Sequence, residues 1–235
     1  MRLPLRLIPK RTVVTVRSGI NEGLRCVTGA SVHGCWLGHY EHDKQALVRR
    51  LVKPGMKVFD IGANAGFYTL AFSRLVGGAG HVWAFEPFAG NASKLLHHLY
   101  LNKIANTTVI QAAVSAQAGV AGLMTDFSDS EWKLSDEARG YLVPTIALDT
   151  LLNDGTVPVP NLIKIDVEGA EAQVLNGARE ILRSKQTSLL LALHGIEQLN
   201  SCMALLAEFE YQVFRLDGSR LAAGCGFTDE IYAIP

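Results

Sequence analysis

The stretch KVFDIGANAGFYTL, residues 57–70, decides the fold. KVFDI is an apolar run that reads as a buried strand. It ends in Asp60. Gly62, Asn64 and Gly66 follow among two alanines, and an apolar helical pattern then opens. A tight turn needs one glycine, and this one has two, with an acid and an amide beside them. Glycine lets backbone come close to another group because no Cβ stands in the way. The pattern predicts a helix over 64–76, capped by Asn64 and ended by Gly77-Gly78.

Outward from that turn the alternation continues. HVWAFE reads as a strand, 90–103 as a helix and TTVIQAAVS as a strand. LIKID is a strand and 169–183 a helix; SLLLALH is a strand and 196–208 a helix. Apolar strands alternating with helices imply a parallel sheet covered on both faces, and right-handed crossovers make it an open, doubly wound α/β sheet. YQVFRL and FTDEIYAI have no helix between them, which predicts an antiparallel pair at the sheet's end. Residues 115–160 read as an insertion. AGVAGLMTD and YLVPTIALDTLL look like strands, and FSDSEWKLSDEARG like a polar loop; together they are expected to wall the substrate site. Residues 1–40 read as an N-terminal extension, with short strands in TVVTVR and GLRCVTG. Residues 41–235 read as the main domain, opening with an amphipathic helix in EHDKQALVRRLV.

The 235 residues are 49% hydrophobic and 19% charged, which excludes disorder over most of the length. Lys+Arg and Asp+Glu are both 22, so the basic excess of a nucleic-acid binder is missing. No apolar run reaches the ~18 residues of a transmembrane helix. Pro4, Arg6 and Pro9 interrupt any signal-peptide core. Cys26, Cys35, Cys202 and Cys225 form no C-x-x-C pair and read as free thiols in a reducing cytoplasm. Arg2, Arg6, Lys10, Arg11 and Arg17 precede the first acid. That local charge is compatible with a peripheral membrane contact or a phosphate- or lipid-linked acceptor. The oligomeric state is open.

In a doubly wound sheet the first strand-to-helix turn meets the cofactor. Asp60 at its tip is placed to accept from a cationic ligand or from the amides of the turn. Glu86 ends the next strand, twenty residues after Gly66, where an acid takes both hydroxyls of a ribose. Pro87 rigidifies that turn, and Phe88 either packs on an adenine or is core. The G-x-G-x-x-G fingerprint of dinucleotide sites is absent, and an acid would repel a diphosphate. An acid attracts the amino group of a methionine-type moiety, which favours S-adenosylmethionine over NAD. In LIKIDVEGAEAQVLNGA a strand ends in Asp166, with Glu168 and Glu171 beyond it. Such carboxylates shift one another's pKa values or hold a divalent cation such as Mg²⁺. Glu171 also suits the helix dipole. His194 at the tip of SLLLALH reads as a general base or as a structural histidine.

These residues together resemble a known group. VFDIGANAGFYTL, AFEPFAGNASKLLHHLYLN, IQAAVS, IALDTLL and LIKIDVEGAEAQVLNGA look like the FkbM family of S-adenosylmethionine-dependent methyltransferases, and WLGHYEHD is similar to its approach segment. The resemblance implies a Rossmann-like class I methyltransferase with a mostly parallel seven-stranded sheet, its last strand antiparallel. It implies O-methylation, often of a sugar in a glycan, glycolipid or polyketide. By position, Asp60, Gly62, Asn64 and Gly66 would hold the methionine part, Glu86 the ribose, and Ala113 and Val114 the adenine. Glu41 would close over the cofactor, and Asp166, Glu168 and His194 would face the acceptor. One departure stands out: where the family often has an acid two residues before the histidine, this chain has Ala192. The rival readings are a nucleotide-dependent oxidoreductase on the same fold and a non-catalytic cofactor-binding module.

Overall fold

The computed structural model describes residues 9–31, 33–124, 133–135, 141–222 and 226–235. An antiparallel hairpin of β1 (Val13–Thr15) and β2 (Arg25–Val27) comes first. The short α1 (His33–Leu37) and then α2 (His42–Leu51) follow. The alternation starts with β3 (Lys57–Ile61), α3 (Phe67–Val76), β4 (His81–Phe85), α4 (Ala89–Leu101) and β5 (Thr107–Ile110). A smaller sheet interrupts it, made of β6 (Ala113–Val114), β7 (Gly119–Met124), β8 (Lys133–Ser135) and β9 (Tyr141–Ile146), and α5 (Leu148–Asn153) leads back. The chain ends with β10 (Leu162–Ile165), α6 (Glu171–Asn176), α7 (Arg179–Arg183), β11 (Ser188–Ala192), α8 (Ile196–Glu208), β12 (Gln212–Phe214) and β13 (Glu230–Ile234).

The main sheet has seven strands in the order β12-β13-β11-β10-β3-β4-β5. The five from β11 to β5 are parallel, and β13 runs antiparallel to both neighbours, as the helix-free ending predicts. Alternate side chains go to opposite faces. Val58, Val82, Leu162 and Leu190 pack under α2 and α3 against Val48 and Phe72. Phe59, Ile61, Ile163 and Leu191 pack against Val174, Ile181, Leu199 and Leu206 of α6, α7 and α8. Each such buried side chain contributes about 1.5–3 kcal/mol. The register sets Lys164 beside Asp60, so their side chains share the α2/α3 face.

Several local expectations are corrected. Helix α3 opens at Phe67, not residue 64, and its N-cap position is Gly66 at φ 93°. Asn64 is therefore no helix cap; it sits at φ 48° and its Oδ1 accepts the Ala65 amide at 2.6 Å. The helix expected over 169–183 is two helices, broken at Gly177 and Ala178. A Cβ on Gly177 would stand 2.1 Å from the Ser115 carbonyl oxygen, so the break seats the chain against the segment that leaves β6. TTVIQAAVS splits between the two sheets, and LDTLLN is the helix α5 rather than strand. The polar segment read as a loop contains β8; most of it, like Cys225, lies outside the described residues.

Candidate active site

A cavity of about 460 Å³ opens at the C-terminal ends of β3, β4, β10 and β11. This is the edge where parallel sheets bind ligands, and the volume suits a drug-sized molecule.

The turn after β3 forms one wall. Gly62 at φ 74° has its backbone against the Asp166 carbonyl, which an added Cβ would meet at 1.8 Å. On Gly66 a Cβ would stand 2.4 Å from Leu95. Close packing within the protein thus accounts for both glycines, beyond the ligand approach read from sequence. Asp60 is fully buried behind this wall. It does not line the cavity; its carboxylate accepts from Thr69 Oγ1 at 2.6 Å and pairs with Lys164 Nζ at 3.2 Å. Lys164 is itself buried, and it also donates to the Gly62 carbonyl at 2.9 Å and lies 3.5 Å from Asp166. Burial works against its charge, but Asp60 and Asp166 hold its pKa above the ordinary lysine value.

Glu86 lines the next wall with both carboxylate oxygens anchored. Oε2 accepts the Asn64 amide at 2.7 Å and Oε1 the Phe88 amide at 3.0 Å. Burial raises its pKa, and the two amides only partly offset that. Pro87, Ala113, Val114 and Leu123 continue this side. Phe88 does not line the cavity; its ring meets Tyr141 edge-on at 5.7 Å, in the core of the small sheet.

His194 stands at the opposite end beside Asp166 and Glu168. Its Nδ1 lies 2.8 Å from Glu171 Oε1, and its Nε2 lies 3.3 Å from Glu168 and 3.9 Å from Asp166. Nδ1 is thus directed at Glu171, and Nε2 at Glu168 and Asp166 on the cavity side. The bond to Glu171 leads in raising the His194 pKa above 6.5, against partial burial and with help from Glu168. Glu171 is fully buried, and its Oε1 also accepts the Gly169 amide at 2.9 Å. It supplies the histidine-orienting carboxylate that Ala192 does not. For Asp166, burial is outweighed by Lys164, Lys44 and His194, and its pKa is lowered.

The N-terminal segment closes the cavity with Ser31, Cys35, Tyr40 and Glu41. Glu41 Oε2 accepts from the Tyr68 hydroxyl at 2.6 Å. Buried Lys44 pairs with Glu41 at 3.1 Å and with Glu230 at 2.5 Å. Cys26 and Cys35 are free thiols whose pKa burial pushes up to about 11, and Cys202 is free with its own pushed up to about 12.

The sequence reading thus brings Glu41, Gly62, Asn64, Glu86, Pro87, Ala113, Val114, Asp166, Glu168 and His194 to one cavity. Asp60, Gly66 and Phe88 stand behind its walls. It missed Lys164, Lys44, Tyr68, Leu123 and Glu230. Lys164 left a signal, as one cation in the otherwise apolar LIKI; Lys44 left none on a helix with many charged residues.

A mostly parallel seven-stranded sheet with this order, and a nucleoside-sized cavity at its strand tips, belongs to the Rossmann-like methyltransferase class. Two solved structures illustrate the fold. The methyltransferase FkbM from Methylobacillus flagellatus KT superposes with a TM-score of 0.54 at 19% identity, over 81% of this chain and 50% of that one. Aeropyrum pernix fibrillarin gives 0.52 at 14% identity, over 97% and 100%. The chain belongs to the FkbM methyltransferase family: the profile of the methyltransferase FkbM domain matches residues 60–216. Hexuronic acid methyltransferase AglP from Haloferax volcanii is 28% identical over 164 residues, 67% of this chain and 65% of that protein. The 31-O-demethyl-FK506 methyltransferase FkbM from Streptomyces tacrolimicus is 26% identical over 189 residues, 66% and 72%. The matches thus span about two thirds of these relatives.

Proposed function

We propose that the chain methylates a hydroxyl oxygen of a sugar-type small molecule or glycan, with S-adenosylmethionine as donor. The observation that carries this is one cavity holding an amide-anchored Glu86 at one end and the Glu171–His194 pair at the other. The residues suit the donor. Glu86 keeps lone pairs for two ribose hydroxyls, and Ala113, Val114 and Leu123 offer an adenine an apolar wall. Glu41 suits a cationic sulfur and ammonium, and Asp166 and Glu168 are left to the acceptor. Asp60 acts on the donor through the turn it holds with Lys164. The relatives' names, a hexuronic acid and a 31-O-demethyl compound, support a hydroxyl acceptor.

The bound donor supplies an electrophilic methyl group. The chain aligns the hydroxyl, which is worth more than any single contact. His194 Nε2 takes the hydroxyl proton as the oxygen becomes the nucleophile, and Glu171 steadies the imidazolium that results.

A second reading places a divalent cation such as Mg²⁺ on Asp166 and Glu168. Its support is that Asp166, Glu168 and His194 offer ligand atoms within 4.8 Å of one another. Nε2 serves as ligand or as base, not both, so turnover that survives excess chelator removes the cation. The basic N-terminus supports a lipid-linked acceptor and a peripheral membrane contact, and the free thiols support a reducing cytoplasm. No helix among the described residues is long and apolar enough to cross a membrane.

Thermal shift with S-adenosylhomocysteine, NAD and NADP tests the donor. Stabilisation by the first alone supports methyl transfer. Stabilisation by NAD favours an oxidoreductase, and no shift at all a non-catalytic module. With a labelled donor and an accepted substrate, His194→Ala is expected to lower turnover by about 10²–10⁴, with S-adenosylhomocysteine binding kept.

A further inference from the structure

Among the described residues six carboxylates line the cavity, those of Glu41, Glu86, Asp166, Glu168, Asp229 and Glu230, and one ammonium, that of Lys164. The positive groups are already committed. Lys164 is buried and bound to Asp60, Asp166 and the Gly62 carbonyl. Lys44 is buried between Glu41 and Glu230. His194 faces Glu171 on one side and Glu168 and Asp166 on the other. No arginine among the described residues lines the cavity. Glu86 belongs to the ribose end, and the donor's positive charge answers one more carboxylate. The acceptor end stays acidic.

The cavity wall is also aromatic. Tyr40, Phe67 and Tyr68 line it, with Tyr40 and Phe67 edge-to-face at 5.2 Å. Aromatic faces and carboxylates together suit a pyranose, whose C–H faces pack on rings while its hydroxyls donate to the acids. A carboxylate on that sugar would meet like charge and, among the described residues, no open cation, which suppresses a wrong partner.

Resting on the methyl-transfer reading, we propose that the acceptor is a sugar rich in hydrogen-bond donors and without an acidic group, an amino sugar binding best, and that uronic acids are excluded. The specificity would thus differ from the one named for the Haloferax volcanii relative.

The test uses the full chain saturated with S-adenosylhomocysteine, its binding first measured by calorimetry. Glucosamine, methyl glucoside and glucuronate are titrated in at low ionic strength, and NMR signals of the His194 and Tyr40 rings are read. Glucosamine is expected to bind tightest, methyl glucoside next, and glucuronate at least about tenfold weaker than glucosamine, the equivalent of one pairwise charge preference. Glu168→Gln is expected to narrow the gap between glucosamine and glucuronate. Glucuronate binding as tightly as glucosamine, a gap untouched by Glu168→Gln, or no probe moving either ring would each overturn the proposal. Failure to bind S-adenosylhomocysteine at the first step would instead overturn the methyl-transfer reading.

Discussion

Lys164 is a full charge in a strand whose four residues are all buried. It sits between Asp60 and Asp166 and so joins the tip of β3 to the turn after β10. Removing one member of such a buried group strands the others. Lys164→Met is expected to cost about 3–5 kcal/mol in urea unfolding. The double variant Asp60→Asn, Lys164→Met is expected to recover part of that, and equal stability of the single variant and the parent would remove the ion group as an anchor. His194 makes a second prediction, with a sign. Its folded pKa is raised above 6.5, so its contribution to stability is complete below 6.5 and lost as pH rises through the raised value. With His194 as the proposed base, catalysis runs the other way, because Nε2 must be free. The transfer rate should rise with pH through that same raised value. In Glu171→Gln the rising limb should move down towards 6.5 and the plateau fall at least about tenfold. A limb that stays in place would remove Glu171 as the group that sets it.

At the scale of elements, the turn between β3 and α3 is the most constrained piece. Gly62→Ala would add both a strained φ and a 1.8 Å approach to the Asp166 carbonyl. Its expected cost is about 2–4 kcal/mol. Gly55→Ala is the control: φ is 82° there, but nothing lies within 4 Å of the added Cβ. It should cost about 1–2 kcal/mol, and equal losses in urea unfolding would remove the close approach as the cause. The alternation of strands and helices was legible because a buried strand repeats its apolar signal locally. Helix ends were less so. Gly177 breaks a helix because of Ser115, sixty-two positions away in sequence and in contact only in the fold. Asn64 reads as a cap by residue type, yet Gly66 takes that position. The site divides the same way. Glu86, Asp166 and His194 announce themselves by ending apolar strands. Glu171 and Lys44 do not, because their partners, His194 and Glu230, come from distant segments.

For the whole molecule, the boundary read at residue 40 runs through the cavity wall. Ser31, Cys35 and Tyr40 line the cavity before it, and Glu41 after it. The earlier segment is stitched to the rest by several bonds. The Arg25 amide donates to Asn102 Oδ1 at 2.7 Å and the Val27 amide to His98 Nε2 at 3.0 Å, while Arg49 donates to the Gly19 carbonyl at 2.7 Å. Val16, Ile20 and Trp36 are buried there as well. Sequence shows a change of composition at 40, and only the fold shows that this segment forms one side of the site. A chain of residues 41–235 should therefore lose more than an ornament. Open on one side, its cavity would admit water around Glu41 and Tyr68 and weaken the hold on the donor that Glu41 is proposed to have. S-adenosylhomocysteine affinity by calorimetry is expected to fall at least about tenfold, and the midpoint of thermal unfolding to fall too. Unchanged affinity in a shortened chain with an intact circular dichroism spectrum would show that the segment is an extension and not a wall.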